Sequence, residues 1–208
     1  MTELTVAQQD HHDLSPQQVK QSNSNQKLAM WIYLGSETVI FAVLIVGYII
    51  YRFNEPASVR GVHESLGIAL VTLNTFILLT SSYAMVMGLR AMKMGNRSGF
   101  TRWIGLTALL GFVFMIGQFI EYQELAHLEI TISGAGDPNF AGFGMRFYVP
   151  TFFHGVHVLI GVIWALLVLR RGANGRYDQN PIGIEVFGLY WHFVDVVWIM
   201  LFTFIYLI

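Results

Sequence analysis

An all-α membrane bundle of five transmembrane helices is the fold class this sequence predicts, and three observations predict it. Five apolar stretches reach the roughly 20 residues that a helix needs to cross a hydrocarbon core. Of the 208 residues 54% are hydrophobic and only 12% charged, well to the apolar side of soluble domains. Each stretch is apolar all the way round and is bounded by polar segments, which marks spans and not amphipathic surface helices. The formal net charge of −1 offers no basic excess for nucleic acid, which is excluded as a partner. With no cysteine, disulfides, thiolate nucleophiles and Cys-ligated metal centres are excluded too, and His, Asp and Glu are the remaining metal ligands.

Residues 1–26 are rich in Gln, Asn, Ser and charge and are expected to form a disordered tail. They hold no apolar core with a small-residue cleavage site, so the first apolar stretch should direct insertion itself. The adjacent His11 and His12 read as ordinary solvated residues, since two histidines without further ligands make a poor metal site. From 27 to 208 the chain reads as one bundle.

The first span, 28–51, carries one ionisable residue, Glu37. It lies about ten residues from one end, ~15 Å deep at 1.5 Å per residue. An acid at that depth costs on the order of 2.5–3.5 kcal/mol, so it should face protein. Two roles stay open for it: a proton-handling or partner-contacting acid, and a carboxylic acid hydrogen-bonded within the bundle. The second span, 66–89, has no charged residue in its apolar body. The third, 103–124, ends on Glu121 and Glu124, one turn apart; both are expected within reach of headgroups or water, although paired carboxylates can also serve acid–base chemistry. The Gly, Asp-Pro and Asn of "EITISGAGDPNFAGFGM" predict turns in the loop that follows.

The fourth span, 147–169, has Pro150 in its expected first turn, where a missing N–H matters little. It places His154 and His157 at i and i+3, and the fifth, 186–208, places His192 and Asp195 at the same separation. Each pair should project from one stripe. Glu37, His154, His157, His192 and Asp195 are therefore expected to form one hydrogen-bonded interhelical cluster. A buried di-metal site is the competing reading, but its Glu-x-x-His motif is absent, and no metal is assigned. Two histidines on one stripe cannot ligate a haem from opposite faces, and no Gly-x-Ser-x-Gly turn or cysteine supports nucleophilic catalysis. Trp31, Tyr33, Trp103, Tyr148, Tyr190, Trp191 and Tyr206 fall near span ends, as interfacial anchors do.

Nine Lys and Arg residues fall in the tail and the second and fourth loops, against Arg52, Arg60 and Arg146 on the other side. Because cytoplasmic loops retain positive charge, the N-terminus is expected inside and the C-terminus outside. No internal repeat with paired broken helices is visible, which weakens a transporter built on inverted repeats.

Four segments, in order, resemble subunit III of the haem–copper terminal oxidases: "WIYLGSETVIFAVL", "GQFIEYQELAH", "FFHGVHVLIGVIW" and "YWHFVDVVWIMLFTFIY". The resemblance runs from about Lys27 to Ile208, and the His-Phe-Val-Asp-Val-Val-Trp string is highly specific. It implies a non-catalytic subunit of a respiratory oxygen reductase in the bacterial plasma membrane, packed against the haem- and copper-bearing subunit I, with no redox group of its own. It further implies roles in stabilising the complex, binding phospholipid, sustaining proton uptake and guiding oxygen, with Glu37 matching the family's carbodiimide-reactive glutamate. Cytochrome c is favoured over quinol as donor, and membership of a respiratory supercomplex is open. The chain resembles the short five-helix form, lacking two helices of the seven-helix form. It also has Phe152 where many members have a small residue, which puts close helix contact there in question. An accessory subunit of a nitric oxide reductase, a stand-alone proton-coupled carrier and a membrane di-metal enzyme are the alternatives.

Overall fold

A computed structural model describes residues 15–56, 68–127, 130 and 142–208. Those residues form five long helices and no strand: α1 (Pro16–Asn54), α2 (Ile68–Lys93), α3 (Arg97–His127), α4 (Phe143–Ala173) and α5 (Ile182–Leu201), the last continuing as a π-helical turn, Phe202–Leu207. All five are long and apolar enough to cross a membrane, as the sequence predicts. The helices overrun the predicted spans at the end that carries Lys27, Lys93 and Arg170, which is called the basic end below.

The tail expected to be disordered over 1–26 is helical from Pro16. Ser15 caps the helix, its hydroxyl accepting from the Gln18 N–H while the Gln18 side chain accepts from the Ser15 N–H, and Pro16 starts the first turn. This reciprocal cap satisfies orphan backbone donors and lets a polar sequence nucleate. At 1.5 Å per residue the 39-residue α1 is ~58 Å long, so it stands well clear of a ~30 Å hydrocarbon core. Its polar first turns are fastened by Asn23 and Asn180, whose side-chain amides exchange hydrogen bonds of 3.2 and 2.9 Å. Residues 1–14, including His11 and His12, lie outside the described residues, as does most of the loop between α3 and α4.

Two short turns close the basic end. Gly95 between α2 and α3 and Gly175 between α4 and α5 have φ of 74° and 78°, and the backbone bonds Asn96 N–H to Ala91 O and Arg176 N–H to Arg171 O wrap the helix ends. Only glycine adopts this left-handed conformation without a Cβ penalty.

Around the bundle α2 packs on α3, α3 on α4, and α4 on α1. α5 lies in the middle, against α1, α2 and α4, and reaches α3 through Trp191. That indole is fully buried. A Cβ added at Gly111 of α3 would stand 2.7 Å from its ring, and one at Gly161 of α4 2.5 Å. The two glycines therefore make the slot that the ring fills, and its Nε1–H donates to the Ser81 hydroxyl of α2 at 3.0 Å. Tyr190, Trp191 and Tyr206, expected as interfacial anchors, are core residues: facing glycines admit Tyr190 and Trp191, protein acceptors take the N–H of Trp191 and the O–H of Tyr190, and Tyr206 packs against Phe147 and Trp198. Trp31 and Tyr33 remain exposed.

α1 is the most loosely held helix. It buries only Leu34, Phe41, Tyr48 and Tyr51, a stripe whose first three members recur every seven residues, while Ile32, Val39, Val43, Val46 and Ile50 face outward. Pro150 stands inside α4, not in its first turn, because the helix begins at Phe143. Phe152 points away from the bundle, 62% exposed, so it does not obstruct helix packing.

Because the Trp191 ring is rigid, Gly161→Ala should force helix α4 outward. It is expected to lower stability by about 1–3 kcal/mol, whereas Gly155→Ala on the same helix, where an added Cβ meets nothing within 4 Å, should be neutral or better. Thermal unfolding of the two variants in detergent checks this, and equal midpoints would contradict the slot.

Candidate functional site

Glu37 and His157 lie on one flank of α5, His192 and Asp195 on the other. Residues i and i+3 on a helix differ by about 60° in direction, since 3.6 residues make a turn. Around a central helix that angle is enough to send them to different neighbours, so the five residues expected as one cluster occupy separate sites.

On the α1 side, His157 of α4 approaches Glu37, with Nε2 3.4 Å from Oε2. Its other nitrogen, Nδ1, lies 2.8 Å from the Phe153 carbonyl, and a carbonyl only accepts, so Nδ1 carries a proton. Nε2 is thereby left to face the Glu37 carboxyl, at ion-pair range and outside hydrogen-bonding geometry. Phe41, Phe153 and Tyr190 enclose the imidazole at ring distances of 5.3, 4.7 and 6.4 Å. Tyr190 also donates its hydroxyl to the His157 carbonyl at 2.9 Å. Glu37 thus faces protein, as the cost of an acid at that depth requires.

His154, one turn away, belongs to neither flank. Its Nε2–H donates to the Val194 carbonyl of α5 at 3.1 Å, and its ring lies between Phe114 and Trp198. On the α2 side, His192 Nδ1 stands 2.6 Å from the Ser82 hydroxyl. Asp195, one turn further along α5, also lies beside Ser82, yet among the described residues neither of its oxygens has a partner at hydrogen-bonding geometry. A hydroxyl has one proton to give, so Ser82 donates to His192 or to Asp195 and not to both.

Glu121 and Glu124 part company as well. Glu124 is exposed, whereas Glu121 is only 4% exposed and enclosed by protein. Gln118 donates to its Oε2 at 2.7 Å, and the Tyr206 hydroxyl stands next to it. The π-helical turn at the end of α5 brings that tyrosine inward against Phe147, which a straight reading of helical period does not reveal. Nearby, Tyr122 donates to Thr151 at 3.0 Å and Tyr148 to the Ile130 carbonyl at 3.0 Å.

Several polar partners escaped the sequence reading. Ser81, Ser82 and Thr75 on α2 receive Trp191, His192 and Trp198, and Asn74 donates across to the Phe114 carbonyl of α3. The paired serines inside an apolar run were the available signal. At the basic end Glu185 bridges Lys27 of α1 and Lys93 of α2 at 2.6 and 2.5 Å, and Arg97 pairs with Asp178 across the two turns.

Residues 9–208 match the family model described as cytochrome c oxidase subunit III. The chain is 39% identical to cytochrome c oxidase subunit 3 of Synechocystis over 179 residues, which cover 85% of this chain and 73% of that one. It is 34% identical to cytochrome c oxidase subunit 3 of Bacillus subtilis, over 93% of this chain and 91% of that one. It is 33% identical to cytochrome bo(3) ubiquinol oxidase subunit 3 of Buchnera aphidicola, over 88% and 92%.

The geometry at Glu37 separates two substitutions of similar size. Glu37→Gln keeps a polar group facing His157 Nε2, whereas Glu37→Met leaves that nitrogen facing only hydrocarbon in the bundle, at a cost of about 1 kcal/mol. Thermal unfolding should rank the glutamine variant above the methionine variant; the reverse order would contradict the contact.

Proposed function

Because the chain belongs to the cytochrome c oxidase subunit III family, we propose that it serves its complex as a helper that carries no redox centre and packs against the haem- and copper-bearing subunit. Its membership makes it subunit III of a haem–copper oxidase and a multi-pass membrane protein working with other oxidase subunits. The electron-transfer chemistry resides in the partners. The two cytochrome c oxidase relatives favour cytochrome c as the donor, while the ubiquinol oxidase relative keeps quinol in play. The chain lies in the bacterial plasma membrane with its basic end in the cytoplasm, following the charge asymmetry of its loops.

One observation carries the helper reading. The polar neighbours of the histidine nitrogens are atoms of this same chain: Phe153 O, Val194 O and the Ser82 hydroxyl at hydrogen-bonding distance, and the Glu37 carboxyl at 3.4 Å. Their geometry fixes helix register. α1, with its long apolar face turned outward, is suited to lie against another subunit or lipid. Support of proton uptake and binding of phospholipid belong to the same proposal.

Affinity purification through a tag on this chain, from its own membranes, tests the assignment. Haem absorbance and copper should co-elute in fixed ratio, and oxygen uptake should be faster with reduced cytochrome c than with quinol. Glu37→Gln and Asp195→Asn should leave haem content unchanged, with Asp195→Asn shedding this subunit sooner on detergent challenge. A pigment-free chain, or loss of haem in either variant, would overturn the proposal.

A further inference from the structure

A groove of about 380 Å³ opens at the basic end between α1 and α2, with α5 as its floor. It exists because α1 and α2 scarcely touch each other while both pack on α5. Its walls are hydrocarbon and aromatic: Trp31 of α1, Val86 and Leu89 of α2, and Leu189 of α5. At its deep end stands His192, whose Nδ1 is already engaged by Ser82. From Glu185 at the mouth to His192 is seven residues of α5, ~10 Å, against ~15 Å for one leaflet of a 30 Å hydrocarbon core.

The mouth differs chemically from the walls. Lys27 and Lys93 both stand there, their side chains 45% and 51% exposed, and share the single carboxylate of Glu185. Two ammonium groups against one carboxylate leave one unit of positive charge. Each ammonium has three N–H donors, of which Glu185 takes one direction, so donors remain for a second anion at the same level. A charged mouth of one sign above an apolar trough of less than leaflet depth matches an amphiphile with one negative charge and a hydrocarbon chain.

We propose that this groove binds one anionic phospholipid, its phosphate held by Lys27 and Lys93 and the upper part of one acyl chain lying along Trp31, Val86, Leu89 and Leu189. The inference deepens the lipid-binding part of the proposed function and rests on it only for placing the chain in a bilayer. The lipid completes the wall that α1 and α2 leave open, and it neutralises the excess charge of the ion-pair cluster. Glu185 then sets the strength of the site, because it competes with the phosphate for the same donors.

The test uses the intact oxidase complex in vesicles of phosphatidylglycerol mixed with phosphatidylcholine, with a photo-crosslinking residue at Leu189. Mass spectrometry of this subunit after illumination should show a phosphatidylglycerol adduct in preference to phosphatidylcholine. Labelling should fall roughly fivefold for each lysine removed in Lys27→Gln and Lys93→Gln, and rise in Glu185→Gln, which a merely structural role for the ion pairs does not produce. Crosslinking to another polypeptide, or lipid labelling indifferent to headgroup and to all three substitutions, would overturn the proposal. The haem content of the same preparations reads the subunit assignment separately, so either conclusion can fail alone.

Discussion

The contact on which the remainder of the bundle depends is the indole of Trp191, seated between Gly111 and Gly161 with its N–H on Ser81. In a bilayer no hydrophobic force drives helices together, and association comes from close packing and interhelical hydrogen bonds. Trp191 supplies both at once to α2, α3 and α4. Once it holds α5 in the middle, the other contacts of that helix follow from helical spacing: Tyr190 reaches α4, His192 and Trp198 reach α2, and the Val194 carbonyl meets His154.

Placing a helix that carries His192 and Asp195 at the centre also resolves the problem of burying ionisable groups. Both lie beside Ser82 of α2, on the opposite flank of α5 from the Glu37–His157 contact. The arrangement is a set of short polar links, each tying two helices, and it contains no continuous chain of groups across the bundle among the described residues. Asp195 is the least well provided, sharing Ser82 with His192. Helices α2, α3, α4 and α5 are packed closely on one another, while α1 turns its apolar face outward, and that face and the lysine-rimmed groove are the surfaces proposed for partner and lipid.

The fold was legible because span length and apolar content are read directly along the chain, and the structure has five helices long and apolar enough to cross a membrane. Sites were less legible. The separation of His154 from His157, and of both from His192 and Asp195, depends on where the neighbouring helices stand around α5, which no single-helix period reports. Trp191 looks like a membrane-interface anchor until the glycines of two other helices are known to face it. Glu121 looks solvated because it is near a span end, and only the π-helical turn carrying Tyr206 closes over it. The polar stretch after Ser15 reads as tail by composition, although Ser15, Pro16 and Gln18 spell a helix start.

A double-mutant cycle between Ser81→Ala and Trp191→Phe is the most direct measurement of the central contact, because the pair removes the hydroxyl and the indole N–H while keeping an aromatic ring in the slot. With thermal or chemical unfolding as the readout, the two effects should fall short of additivity by about 0.5–1.5 kcal/mol, the worth of a buried hydrogen bond. Strict additivity would contradict this, and would mean that the indole N–H on Ser81 does not help to tie α5 to α2.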